Sequence, residues 1–214
     1  AMQPLLSQGG FFAAIGNHES ELSAELSEYA LRFFGGAGFG GGETYYRFST
    51  GGVAFFTVNT EEPISQGTPQ AIWLQAELEA AAADPEHRFS VVWFHRPLVT
   101  CGDKGDDVAA RAHLEPIFVA TNTLLVVQGH MHGYERFEIP GAPIYITTGG
   151  GGGVLGAIDE NADRVYCGDR LGSGKFYHSV LFRVDETSLS GEVIDRDGAV
   201  RDTFSRAIPN GLPK

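Results

Sequence analysis

The chain has 214 residues, of which 43% are hydrophobic and 20% are charged, and these proportions fit one globular domain with a sizeable core. Its formal net charge of −12 argues against a surface that binds nucleic acid. No apolar run is long enough to cross a membrane and no signal peptide is visible at the start, so we expect no membrane partner. Cys101 and Cys167 leave two alternatives open, a disulfide or two thiols, because sequence alone does not establish their proximity.

The first part of the chain predicts a strand, a helix and a loop. Residues 11–15 form a short apolar run that predicts a buried strand, and Gly16-Asn17-His18-Glu19 follows it. Ser20 can cap a helix that we expect over residues 21–33, where apolar side chains recur on one face. Residues 35–42 are rich in glycine and predict a flexible loop, since no Lys-Ser or Lys-Thr follows to indicate a phosphate-binding loop.

Strands and helices alternate through the middle of the chain. Residues 44–48 and 53–58 predict a hairpin joined through Thr50-Gly51-Gly52. Helices are predicted over residues 69–83, with Pro69 at the start, and from Asp106-Asp107 to about Ala120, with acids at the end that the helix dipole favours. Buried strands are predicted over residues 89–94, 123–128 and 144–147.

The last part of the chain predicts three antiparallel strands, over residues 178–184, 189–194 and 200–204. The Asp197-Gly198 pair between the last two is a strong hairpin signal. No repeat, linker or charge block interrupts the chain, so we expect a single α/β domain over residues 1–214.

Three of the predicted strands end in polar clusters that contain histidine. In α/β sheets, ligands bind outside the carboxyl ends of strands, so we expect these clusters to converge. Neutral imidazole is the commonest metal ligand, which makes the convergence a candidate metal site. An isolated His-x-His is more often a pair of ordinary loop histidines, and only the joint pattern favours a site. The converging residues are Asn17, His18, His95, His130 and His132.

Three motifs carry a family resemblance: Gly16-Asn17-His18-Glu19, His95-Arg96-Pro97 and Gly129-His130-Met131-His132-Gly133-Tyr134-Glu135-Arg136. In this order they resemble the calcineurin-like metallophosphoesterase superfamily, and most of all its purple acid phosphatase-type branch. The connecting segments Gln70-Ala71-Ile72-Trp73-Leu74 and Tyr145-Ile146-Thr147-Thr148-Gly149-Gly150-Gly151-Gly152 resemble that branch too, so the resemblance covers nearly the whole chain. It implies an α/β fold of two stacked mixed β-sheets flanked by helices.

The resemblance also implies a phosphoric ester hydrolase that activates water at a dinuclear metal centre and acts on a small phosphate-ester substrate. Asn17, His95 and His130 would hold one metal ion, and His132 would belong to the other. The usual ions in the family are Fe, Zn and Mn. His18 would sit beside the phosphate and would stabilise the transition state or protonate the leaving oxygen. Substrate-binding residues stay unassigned, and Glu135 and Arg136 are expected to form a structural ion pair.

The sequence departs from the family pattern at its start. The family places an Asp-x-His motif and a Gly-Asp motif before Gly-Asn-His-Glu, and neither stands upstream of Gly16. Gly102-Asp103 and Gly168-Asp169 lie downstream of His95, so we do not assign them. The remaining ligands are neutral and cannot offset the charge of two divalent ions in a partly buried site. We therefore expect an N-terminally truncated member that holds at most one metal ion and has little or no phosphatase activity.

Two other functions stay open. One is an inactive fragment or non-catalytic binding module that retains the fold without a complete dinuclear site. The other is a mononuclear zinc hydrolase that uses three histidines, with Glu19 as its general base. Missing strands would leave an exposed sheet edge, through which we expect the chain to dimerise. The resemblance to the purple acid phosphatase-type branch favours an extracytoplasmic or secreted location.

Overall fold

The computed structural model describes residues 10–21, 44–158, 164 and 166–209. The α-helices among them are α1 (Asn17–Glu21), α2 (Pro69–Ala82) and α3 (Val108–Ala120), and Cys167–Asp169 form a 3-10 turn. The strands are β1 (Tyr46–Thr50), β2 (Val53–Thr57), β3 (Phe89–Phe94), β4 (Thr123–Gln128), β5 (Tyr134–Phe137), β6 (Ile144–Thr148), β7 (Arg170–Gly174), β8 (His178–Val184), β9 (Ser188–Asp195) and β10 (Val200–Ala207).

The strands form two sheets. Seven strands make a mixed sheet in the order β1-β2-β3-β4-β6-β5-β7, in which β2, β3, β4 and β6 run parallel. The flanking strands β1, β5 and β7 pair antiparallel with their neighbours. The last three strands make an antiparallel sheet in the order β10-β9-β8. The parallel centre brings the carboxyl ends of β3 and β4 to the same edge of the large sheet.

The large sheet is covered on both faces. Helices α2 and α3 bury Leu74, Leu78 and Phe118 against one face, while Leu189 and Val193 of the small sheet are buried against the other. When a strand is covered on both faces, every one of its side chains is buried, so apolar residues are favoured at every position. This explains the continuous hydrophobic runs of β3 and β4. The predicted fold class, stacked β-sheets with helices in an α/β domain, is confirmed.

The local predictions for the hairpin and the two long helices are also confirmed. Gly51 and Gly52 connect β1 and β2 with φ angles of 58° and 76°, the left-handed pair that a tight two-residue hairpin turn requires. Pro69 stands at the start of α2. Helix α3 begins at Val108 rather than at the acids, since Asp107 is its N-cap and accepts a hydrogen bond from the Ala110 amide at 2.9 Å.

One prediction near the start of the chain is wrong. Residues 11–15 are not in a strand, although Ala13 and Ile15 are buried and the Tyr46 hydroxyl donates to the Ala13 carbonyl at 2.8 Å. Burial of side chains explains the apolar pattern there without a strand ladder. The structure has a short helix at Asn17–Glu21, of which only Glu21 belongs to the helix predicted over residues 21–33. The rest of the predicted helix and the glycine-rich loop lie outside the described residues.

Strands β5 and β7 were not predicted. β5 has only four residues, and its charged pair Glu135-Arg136 interrupts the apolar pattern that predicts a buried strand.

Cys101 and Cys167 form a disulfide, with 6.0 Å between their Cα atoms, and the bond joins the segment after β3 to the turn before β7. In the part of the chain that is described, none of the helices has the length and apolar character needed to cross a membrane.

Candidate metal centre

Asn17, His95 and His130 meet at one edge of the large sheet. The Nε2 atom of His95 lies 2.8 Å from the amide oxygen of Asn17 and 2.9 Å from the Nδ1 atom of His130. Asn17 begins α1, His95 directly follows β3, and His130 follows β4 by two residues. The predicted convergence of these three side chains is therefore present in the fold.

Close packing around Gly16 fixes the His95 ring. A Cβ atom at Gly16 would lie 2.9 Å from the Nδ1 atom of His95, so a larger residue would displace the imidazole. The Gly16 amide donates to the Glu19 carboxylate at 2.9 Å, which holds the first turn of α1 against the ring. The Gly-Asn-His-Glu motif thus contains a candidate ligand atom, the Asn17 amide oxygen, and also leaves the space that the His95 ring occupies.

A tight turn after β4 points the two histidines of the His-x-His motif in different directions. His130 has a φ angle of 64°, a left-handed conformation that is uncommon for a residue with a side chain. The Gly129 amide donates to the His95 carbonyl at 2.9 Å, and the Met131 amide donates to the Gly129 carbonyl at 2.7 Å. These bonds tie the turn to the end of β3, so the His130 ring faces His95.

His132 is held separately from the other three residues. Its Nδ1 atom donates to the Val154 carbonyl at 2.8 Å, and Gly153 packs against the ring, where a Cβ atom would lie 2.7 Å from Cε1. This hydrogen bond leaves Nε2 as the atom with a free lone pair, the arrangement that metal-binding histidines usually show. His18 is exposed on α1, next to Asn17. Over the described residues, no three or more His, Cys, Asp or Glu side chains gather as a ligand group.

Both histidines of the cluster are neutral at physiological pH. Burial, together with the neighbouring His130, lowers the pKa of His95 to about 4. Burial, together with the charge of Arg96, lowers the pKa of His130 as well. A neutral imidazole keeps one ring nitrogen with the lone pair that a metal ion needs, and the proton that His95 Nε2 donates to the Asn17 amide oxygen would have to leave that nitrogen when a metal binds there.

The spacing of the three atoms fits one metal ion. Metal–nitrogen and metal–oxygen bonds of about 2.0–2.2 Å at right angles place neighbouring ligand atoms roughly 3 Å apart. The two measured separations, 2.8 and 2.9 Å, are close to that value. The donor set of one amide oxygen and two imidazoles is neutral, so it suits a single ion better than a pair.

Two supporting residues were missed from the sequence. The Gln128 side chain, buried at the end of β4, accepts from the Leu98 amide at 2.9 Å and donates to the Thr147 hydroxyl at 3.0 Å. Glu61 accepts two hydrogen bonds from the Arg96 guanidinium, at 2.6 and 3.0 Å. A glutamine at the end of an apolar strand was the signal for the first, and no signal in the sequence indicated the second.

The predicted ion pair between Glu135 and Arg136 is wrong. Neighbours on a strand point to opposite faces of the sheet, so these two side chains cannot meet. Glu135 instead pairs with Arg170 at 3.1 Å, and it is fully buried. Arg136 pairs with Asp202 of the small sheet at 2.8 Å. Both residues are structural, and each joins β5 to a different part of the molecule.

Comparison with known proteins now decides the family. The model of the calcineurin-like phosphoesterase family matches residues 2–134, more than half of the chain. The chain belongs to this family. The match includes the first two motifs, the third motif as far as Tyr134, and every residue of the candidate metal centre.

Proteins named as purple acid phosphatases are similar to the chain in sequence, and one solved structure of that name shares its fold. Purple acid phosphatase 18 of Arabidopsis thaliana is 26% identical over 205 residues, which cover 87% of this chain and 46% of that protein. Another Arabidopsis thaliana protein, named probable inactive purple acid phosphatase 9, is 37% identical over 97 residues, or 44% of this chain and 15% of that protein. The chain thus spans less than half the length of these two relatives. A purple acid phosphatase from yellow lupin seeds has the same fold, with a TM-score of 0.67, 19% identity and coverage of 77% of this chain and 32% of that one.

Proposed function

We propose that this chain functions as a metal-dependent phosphoric ester hydrolase and that Asn17, His95 and His130 hold one of its metal ions. The observation that carries the proposal is the convergence of three neutral candidate ligand atoms. The Nε2 atom of His95 lies 2.8 Å from the Asn17 amide oxygen and 2.9 Å from the Nδ1 atom of His130. Membership of the calcineurin-like phosphoesterase family supports the reaction class. A bound ion of Fe, Zn or Mn would supply positive charge to activate water and to stabilise phosphoryl oxygens.

Two further histidines near the cluster would bind the substrate and a second metal ion. His18, exposed beside Asn17, would bind the substrate phosphate and would donate a proton to the leaving oxygen. His132 would offer its Nε2 atom to a second ion, because its Nδ1 atom is already bonded to the Val154 carbonyl. The turn over residues 129–133 keeps the two histidines on separate ligand positions.

The second candidate is a non-catalytic module that retains the fold. Its support is the charge of the site: the four candidate ligands in this chain are neutral, and neutral groups offset the charge of two divalent ions poorly. One relative is itself named probable inactive. The two candidates differ in the number of bound ions and in turnover.

The deciding experiment is elemental analysis of the purified chain, together with hydrolysis of a generic phosphomonoester. Bound metal with turnover, lost in His95→Ala and kept in His113→Ala on the surface of α3, supports the hydrolase. His18→Ala should then keep the metal and lose turnover. One ion without turnover favours the non-catalytic module. A chain that takes up no Zn or Mn would overturn the proposed ligand role of the cluster.

The mononuclear zinc alternative has its own test. It requires Glu19 as general base, yet the Glu19 carboxylate already accepts from the Gly16 amide. If Glu19→Gln keeps all hydrolytic activity, this alternative is excluded. We also propose an extracytoplasmic location, which the disulfide between Cys101 and Cys167 supports because such bonds persist in oxidising compartments.

A further inference from the structure

A cleft of about 330 Å³ opens beside the candidate metal centre. Among the proposed ligands only His130 lines it, so the cleft lies to one side of the cluster. Its floor is apolar, formed by Ile64, Pro97 and Leu98. The volume falls at the lower end of the range for small-molecule sites. A phosphoryl group held at the cluster would therefore direct the organic part of an ester into this cleft.

One wall of the cleft is anchored to the rest of the fold by a disulfide and by hydrogen bonds. It is formed by the segment after Cys101, and the disulfide fixes that segment at its base. The Arg164 guanidinium donates to the carbonyls of Thr100 and Gly102, at 2.6 and 3.3 Å. The Asp103 amide donates to the Ala157 carbonyl at 3.2 Å. The cleft is thus a formed feature with a cross-linked wall.

Lys104 on this wall makes no ion pair or hydrogen bond with the described residues, although the carboxylates of Asp106 and Asp107 also line the cleft. Each arginine that the structure describes bonds to a carboxylate or a carbonyl oxygen, whereas Lys104 and Lys175 have no such partner among the described residues. The nearby acids are already engaged: Asp107 caps α3, and Asp106 lies 3.9 Å from Arg164. Arg96, the other cation of the cleft, is paired with Glu61 at 2.6 Å.

The overall charge makes this local cation significant. With a formal net charge of −12, the chain repels anions, so an anionic group needs local positive charge to approach. We propose that the cleft is the subsite for the organic part of the phosphate ester and that Lys104 selects esters whose organic part carries a second anionic group, a carboxylate or a phosphate. This inference rests on the proposed function, since it assumes that the phosphoryl group lies at the metal cluster.

The test uses the whole chain loaded with Zn²⁺ and two matched probes, benzylphosphonate and 4-carboxybenzylphosphonate, with affinities measured by calorimetry. Lys104→Gln should weaken binding of the carboxylated probe roughly fivefold, as expected for a solvent-exposed ion pair, and change the other less than twofold. Lys175→Gln, which removes the same charge outside the cleft, should change neither. Equal losses for both probes, or a wild-type chain that does not prefer the carboxylated probe, would overturn the inference.

Turnover separates this inference from the proposed function. Phenyl phosphate and 4-carboxyphenyl phosphate are assayed with the same variants. If neither is hydrolysed while Lys104→Gln still weakens only the carboxylated phosphonate, the hydrolase proposal fails and the subsite stands. If both are hydrolysed and Lys104→Gln alters their kcat/KM values equally, the subsite fails and the hydrolase proposal stands.

Discussion

The Nε2 atom of His95 and the Nδ1 atom of His130 lie 2.9 Å apart, although 35 positions separate the two residues in the chain. The register of the sheet explains their meeting. Strands β3 and β4 pair in parallel, with Phe94 opposite Gln128, so the residues that follow each strand leave the sheet side by side. The left-handed conformation of His130 then turns its ring toward His95.

Gly16→Ala should disturb the cluster without removing any ligand. The new methyl group would lie 2.9 Å from the Nδ1 atom of His95, so the ring must move away from Asn17. We expect metal affinity to fall roughly tenfold or more, because changes that misorient a metal ligand typically reduce affinity by that factor. Titration with Zn²⁺ measures this. Gly151→Ala is the matched control, because a Cβ atom there meets nothing within 4 Å, and equal losses in both variants would contradict the prediction.

Asn17→Asp should increase metal affinity. The substitution keeps an oxygen ligand 2.8 Å from His95 and adds the negative charge that the ligand set lacks. Attraction between unit charges at ligand distance is large even in a polar site, so we expect at least a tenfold gain at pH 7.5. Competition with a chromophoric chelator measures the gain. An unchanged affinity would mean that charge does not limit binding here.

Glu135→Gln should destabilise the fold strongly. Glu135 is fully buried, pairs with Arg170 at 3.1 Å and accepts from the Cys101 amide at 3.0 Å. Removing its charge breaks the buried ion pair with Arg170 and weakens the hydrogen bond from the Cys101 amide, and breaking a buried ion pair costs about 3–5 kcal/mol. Urea unfolding gives the value. The control is Glu192→Gln, which breaks an exposed pair with Arg183 and should cost less than about 1 kcal/mol.

Removing the disulfide should lower stability and loosen the wall of the cleft. Cys101 and Cys167 are 66 positions apart, and cross-linking a loop of that size stabilises a protein by up to roughly 4 kcal/mol through the unfolded state. We expect Cys101→Ala/Cys167→Ala to lose about 2–4 kcal/mol in urea unfolding. A reducing agent should destabilise the wild-type chain by a similar amount and leave the double variant unchanged. Insensitivity of the wild-type chain to reduction would contradict the prediction.

The stability of the metal-free chain should fall as the pH drops below neutrality, in part because of His178. This side chain is buried, with Nδ1 donating to the Phe176 carbonyl at 3.0 Å, and burial lowers its pKa. The unfolded chain therefore takes up a proton first as the pH falls through about 6.5, which favours unfolding. Above that pH both states are neutral and the effect disappears.

Thermal unfolding between pH 7.5 and 5 measures this dependence. His178→Gln should flatten the decrease in Tm, because the glutamine does not titrate. His95, whose pKa is lowered to about 4, adds to the same decrease. A slope identical in wild type and His178→Gln would show that His178 has the same proton affinity in both states.

The sequence by itself determined the elements whose signals are local. Apolar runs marked β3 and β4, Gly51-Gly52 marked the first hairpin, and Pro69 marked the start of α2. Each of these signals arises from a backbone preference or from burial on both faces, and both leave a pattern within a short stretch of sequence. Histidines placed after two strands were enough to predict that His95 and His130 meet, because parallel strands share an edge.

Only the tertiary structure decided the pairings between distant residues. Which carboxylate faces which arginine depends on strand order, so the partner of Glu135 is Arg170 from β7 and not the adjacent Arg136. The disulfide follows for the same reason, since the pairing of β5 with β7 brings Cys167 to Cys101. The cleft beside His130 and the place of Lys104 in its wall likewise exist only after folding, because position in space, rather than residue type, determines which charges find partners.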